Sequence, residues 1–182
     1  TSVAKLIILA DVVKFVSVAF EELLTRTQTL QTLQIDDYGR KRNYSVEYRL
    51  PAITSSFAHN RTLCELTFQG WREASLTPVL ADLQGHPALQ QICFRAFHAH
   101  CLPSLSGREV LLRSHDSKVK ELVLEQINTS TAGLHSVLRK LGRNTTVTNL
   151  AIRYCVLSRE NVQQLKSMLR QNTVLESLDL TR

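Results

Sequence analysis

Residues 144–155 read NTTVTNLAIRYC and residues 172–180 read NTVLESLDL, so the chain says nearly the same thing twice, 28 positions apart. Sliding that phrase toward the N-terminus finds apolar triplets at relative positions one, four and six. They are Leu30/Leu33/Ile35, Leu63/Leu66/Phe68, Leu89/Ile92/Phe94, Val119/Leu122/Leu124, Val147/Leu150/Ile152 and Leu175/Leu178/Leu180, preceded by a weaker copy, Val3/Leu6/Ile8. Successive starts lie 27, 33, 26, 30, 28 and 28 residues apart. A period of about 28 is the signature of a stacked array, because one such unit cannot bury its own apolar face and needs a neighbour on each side.

Positions four and six alternate around a polar residue, as a short strand with one buried face requires. An apolar pattern at helical spacing follows several strands, for instance Leu134, Val137, Leu138 and Leu141, or Val162, Leu165, Met168 and Leu169. The unit is therefore strand, turn, helix, turn. Stacked in parallel, seven strands make a sheet about 30 Å across, curved because helices are wider than strands. Three residues before a triplet stands Asn60, Asp116, Asn144 or Asn172. Asn and Asp tolerate the left-handed conformation that closes many helices, so these residues are expected to end each helix in that conformation.

The pattern resembles the leucine-rich repeats of the ribonuclease-inhibitor-like class, and the likeness covers essentially the whole chain. The resemblance implies an α/β solenoid, a curved horseshoe arc of about seven strands, with a parallel concave sheet and helices on the convex side. In that family a ninth-position Asn or Cys satisfies backbone groups of the turn, and Cys155 occupies that place. The other copies depart from it, with Asp11, Tyr38, Trp71, Phe97 and Ile127 there. Trp71 and Phe97 are read as packing residues of the turn, and Cys155 as buried and inert. Arrays of this family occur in intracellular immune receptors with a nucleotide-binding domain and in Roco-type proteins. By that analogy residues 1–182 form one leucine-rich-repeat domain, a fragment whose neighbouring domains belong to the same longer chain. The uncovered strand-like ending LESLDLTR points the same way.

Four cysteines without a regular spacing, Cys64, Cys93, Cys101 and Cys155, suit reduced thiols and a cytoplasmic setting. No apolar run reaches the roughly 18 residues that span a bilayer, and the apolar start is interrupted by Lys5, Asp11 and Lys14. No membrane partner is expected. Sequons occur at Asn43, Asn60, Asn128 and Asn144, but two of these are the residues between helix and strand.

Nothing in the chain reads as catalytic: there is no phosphate loop, nucleophile elbow or paired metal-binding cysteines, and no cofactor or metal is expected. His98, His100 and Cys101 in FHAHC match no metal-site spacing and lack a fourth ligand. The long second unit holds an insertion, residues 36–49, in which Arg40, Lys41 and Arg42 lie among tyrosines. Basic residues interleaved with aromatics can bind nucleic acid, yet a solvated loop is the more economical reading, and nucleic acid is disfavoured as a partner.

Function is placed on the concave face, to which positions three, five, seven and eight are assigned. The candidate contacts are Glu65, Thr67, Gln69, Gln91, Arg95, Glu121, Glu125, Asn149, Arg153 and Tyr154. Position five adds Gln34, Cys93, Val123, Ala151 and Asp179 as surface residues. Arg95, Glu125 and Arg153 are expected side by side, either pairing with one another or offering two arginines to an acidic protein partner, with Tyr154 as an aromatic anchor. The net charge of +6 agrees with an acidic partner. The expected function is a non-enzymatic protein-interaction module with a sensing or scaffolding role in signalling. The alternative is the substrate-recruiting part of an enzyme such as a ubiquitin ligase or a microbial effector.

Overall fold

Positions four and six of every apolar triplet but the last lie on the inner face of a five-residue strand, with position one two residues before it, in the computed structural model, which describes residues 3–9, 17–36, 57, 59–70, 80, 83–95, 112, 117–127 and 132–181. The strands are β1 (Lys5–Leu9), β2 (Thr32–Asp36), β3 (Glu65–Gln69), β4 (Gln91–Arg95), β5 (Glu121–Glu125), β6 (Asn149–Arg153) and the shorter β7 (Ser177–Asp179). They form one parallel sheet in chain order, and every neighbouring pair is in the register that the repeat dictates: Leu33 faces Leu66, which faces Ile92, Leu122 and Leu150 in turn. Three α-helices are described, α1 (Ser17–Arg26), α2 (Ala132–Leu141) and α3 (Arg159–Gln171), together with a short 3-10 helix at Leu83–Gly85. The architecture is an α/β leucine-rich-repeat-like solenoid with the sheet on its concave side and helices on its convex side.

The core is the layer between sheet and helices. Positions one, four and six of β2 to β6 are all buried, and they join Phe20 and Leu24 of α1, Leu134, Val137, Leu138 and Leu141 of α2, and Leu165 and Met168 of α3 in one cluster. The rings of Phe68 and Phe94 stack across β3 and β4 with centroids 5.9 Å apart. The terminal units show what a neighbour contributes. Leu134 and Leu141 of α2 are 0% exposed, whereas Val162 and Leu169, 28 residues later on α3, are 50% and 45% exposed. The apolar pattern of α3 is thus only half buried, since no described helix covers its outer flank.

The Asn residues between helix and strand work differently from the expectation. Asn172 has φ −77° and ψ 129°, and neither Asn60 nor Asn144 has a positive φ. They act through their side chains instead. Asn60 Oδ1 accepts from the backbone N–H groups of Thr62 and Leu63, at 3.0 and 2.8 Å, while its Nδ2 donates to the Leu24 carbonyl of the preceding unit at 2.7 Å. Asn144 repeats this with Thr146, Val147 and Leu112, and Asn172 with Val174, Leu175 and Leu141. The amide closes its own turn and ties that turn to its neighbour, which an extended backbone allows and a left-handed one does not need. Asn60 and Asn144 are 1% and 6% exposed, which leaves no room for a glycan on either Nδ2. Asp116, Asn43 and Asn128 lie outside the described residues.

At one described rung of this ladder an imidazole stands in for the amide. His86 stands three residues before Leu89, and its Nδ1 accepts from the N–H groups of Ala88 and Leu89 at 3.3 and 3.0 Å. Its proton must then sit on Nε2, which is buried and has no hydrogen-bond partner among the described residues. Burial lowers the imidazole pKa. The unfolded chain, with an ordinary imidazole near pH 6.5, binds the proton first, so the stability tied to the neutral ring is fully present above that pH and is lost as the pH falls toward the lowered folded value. His86→Asn replaces the titrating ring with the amide used at Asn60 and Asn144, whose Nδ2 donates to a backbone carbonyl of the preceding unit. Thermal unfolding at about pH 5, 6 and 7.5 is expected to show a gain of about 1 kcal/mol at neutral pH and a flatter acid limb. An unchanged acid limb would remove His86 from the titration.

Candidate interaction surface

The residues between the core positions of each strand point away from the helices and form three rows across the sheet. Position three gives Lys5, Thr32, Glu65, Gln91, Glu121, Asn149 and Ser177; position five gives Ile7, Gln34, Thr67, Cys93, Val123, Ala151 and Asp179. Position seven gives Leu9, Asp36, Gln69, Arg95, Glu125 and Arg153, in register from β1 to β6. All ten predicted contact residues except Tyr154 belong to these rows. Ile7 and Leu9 are exposed on the concave side of β1, where the sequence also puts them.

The face is closed at the middle of β4 to β6, which corrects the assignment of Cys93, Val123 and Ala151 as surface residues, while Gln34, Thr67 and Asp179 stay partly exposed. Cys93, Val123 and Ala151 are only 5%, 2% and 4% exposed and pack on one another as a second, small apolar cluster. Their side chains are short, and Arg95, Glu125 and Arg153 of the neighbouring row lie close enough to act on the Cys93 thiol. Burial pushes the Cys93 thiol up to about 11, against the pull of Arg95, so it is a packing group rather than a nucleophile.

Arg95, Glu125 and Arg153 are indeed laterally aligned, but they do not form one ladder of pairs. Arg95 Nη2 lies 2.9 Å from Glu125 Oε2, and Arg153 turns the other way, its Nε 2.7 Å from Oδ2 of Asp179 on β7. Thr181 donates from both its hydroxyl and its N–H to the other oxygen of Asp179. The Thr181 hydroxyl first, and Arg153 second, hold the Asp179 carboxyl at about 2, while the bond to Asp179 raises Arg153. Both arginines offered to an acidic partner are therefore already held by carboxylates. On the N-terminal half, Gln34 Nε2 donates to Asp36 Oδ1 and Gln69 Oε1, at 2.9 and 3.0 Å.

Position eight belongs to the turn, not to the open face. Gly70, Gln126 and Tyr154 all have positive φ, and each donates its N–H to the position-seven carbonyl of the next unit: Arg95, Arg153 and Thr181 respectively. Gly70 was the sequence signal for this geometry. Tyr154 nevertheless leaves its ring 54% exposed at the rim beside Arg153. One residue further on, Cys155 does what the repeat assigns to it: its Sγ accepts from Ile127 N–H at 3.4 Å and lies 3.2 Å from the Arg153 carbonyl oxygen. It is half-buried rather than buried, and burial raises its pKa.

Trp71, Phe97, the FHAHC histidines and the insertion with Arg40, Lys41 and Arg42 fall outside the described residues. Among the described residues, no helix is long and apolar enough to cross a membrane.

No protein-family model matches the chain, and no curated protein is similar to it in sequence. Among solved structures it is similar to the tropomodulin C-terminal domain of Caenorhabditis elegans, with a TM-score of 0.52 over 85% of this chain and 91% of that one. The identity is 12%, so the likeness concerns the fold, which it agrees in calling leucine-rich-repeat-like.

Proposed function

We propose that the chain is a non-enzymatic protein-interaction module of the ribonuclease-inhibitor-like class that binds a protein partner along its concave sheet. One observation carries this reading: seven parallel strands present their full width on a face that no described element covers. A surface about 30 Å across, built on backbone that neighbouring strands hold rigid, is the size of a protein–protein contact rather than a small-molecule cleft. The compartment proposed is the cytoplasm, which Cys64, Cys93 and Cys155 as free thiols support. Sensing or scaffolding within a longer chain is the role proposed.

Pull-down from a cell extract tests the face. The double variant Arg95→Glu, Arg153→Glu, with its fold checked by circular dichroism, is compared with the intact chain and with Gln163→Glu on the convex helix α3. A prey whose recovery is unchanged by the α3 variant and shifted, in either direction, by the concave one is the expected result. A prey that depends on Gln163 and ignores both arginines would place the contact on the helical side.

A further inference from the structure

The concave rows sort charge in a way the net charge of +6 conceals. They carry three cations, Lys5, Arg95 and Arg153, against five carboxylates, Asp36, Glu65, Glu121, Glu125 and Asp179. Arg95 and Arg153 are consumed by Glu125 and Asp179. Asp36 is buried and accepts from Gln34. Glu65 and Glu121 are left. Glu65 is exposed and accepts only the Thr32 hydroxyl, at 3.2 Å, while half-buried Glu121 lends a weaker attraction to Arg153; neither forms an ion pair among the described residues. A negatively charged ligand would have to break two short ion pairs and pass two open carboxylates. A cationic one meets the carboxylates directly.

We propose that the concave face takes a cationic polypeptide segment in an extended, polyproline II conformation, with basic residues three apart seated on Glu65 and Glu121. The proposal rests on the concave-face reading and supplies the chemistry of its partner. The spacing selects the conformation. Glu65 on β3 and Glu121 on β5 flank β4, two strand separations or about 9.6 Å. In polyproline II, residues three apart share one side and are about 9.3 Å apart. That conformation also leaves its backbone carbonyls open, and the amide of Gln91, between the two carboxylates on β4, is placed to meet one.

Fluorescence anisotropy with labelled (Pro-Pro-Arg)2, (Pro-Pro-Gln)2 and (Pro-Pro-Glu)2 peptides tests it. The arginine peptide is expected to bind best, to weaken as salt rises from about 0.05 to about 0.5 M, and to lose affinity about fivefold or more with Glu65→Gln, Glu121→Gln. Glu160→Gln on α3 leaves it unchanged. Equal affinity for the double variant, preference for the glutamate peptide, or binding of none of the three overturns the cationic class. If the neutral or acidic peptide binds and responds to Gln91→Ala, the concave surface survives without that class. If arginine-peptide affinity moves only with Glu160→Gln, both readings fall.

Discussion

Asn60→Ala is expected to destabilise the fold by about 3–5 kcal/mol, more than any surface substitution and a large share of the roughly 5–15 kcal/mol that holds a domain together. The side chain is 1% exposed, and three partners lose it at once: the N–H groups of Thr62 and Leu63 and the carbonyl of Leu24. Each orphaned buried group costs about 1–3 kcal/mol because water cannot reach it. Asn172 makes the same three bonds, at 2.9, 2.7 and 2.6 Å, but it is half-exposed on the last described unit. Water can replace its amide, so Asn172→Ala is expected to cost about 1 kcal/mol. Urea denaturation of the two variants decides between burial and bond count. Equal losses would show that the bonds alone matter and that the ladder gains nothing from being inside.

The sequence revealed the fold because apolar spacing determines which side of each strand is buried, and that pattern survives even in degenerate copies. Leu6 and Ile8 of the weakest copy pair in register with Leu33 and Ile35 although β1 is largely exposed. What a single strand cannot show is the behaviour of its neighbours. Position five reads as surface in every copy, yet Cys93, Val123 and Ala151 are buried and pack on one another across three strands. Arg153 pairs with Asp179 rather than Glu125, a choice set by the Thr181 bonds that fix the Asp179 carboxylate. His86 escaped notice because an imidazole nitrogen does the work of an amide oxygen only at that distance and angle. At position eight the clue was present, since Gly70 occupies the place where Gln126 and Tyr154 accept a left-handed backbone that costs about 1–2 kcal/mol per residue.

Phe94→Ala is expected to cost about 3–5 kcal/mol, at the upper end because the ring already borders a cavity of about 10 Å³, lined also by Ile92, Leu112 and Val137, that the deletion would enlarge. Phe68→Ala belongs to the same range, and the stacked pair adds about 0.5–1.5 kcal/mol of coupling, so the double variant is expected to lose less than the two single losses combined. Strict additivity would mean that the rings act only through buried area. Where the damage spreads follows from the stacking of the chain. β5 contacts β4 and β6 but no other strand, so the units from β5 onward keep their own interfaces when β3 and β4 separate. Hydrogen exchange on the double variant is expected to show amides of β2 to β4 opening while those of β6 and α3 stay protected. Uniform loss of protection would mean that the arc unfolds as one cooperative body, and its stability could not then be treated as a sum of nearest-neighbour contacts.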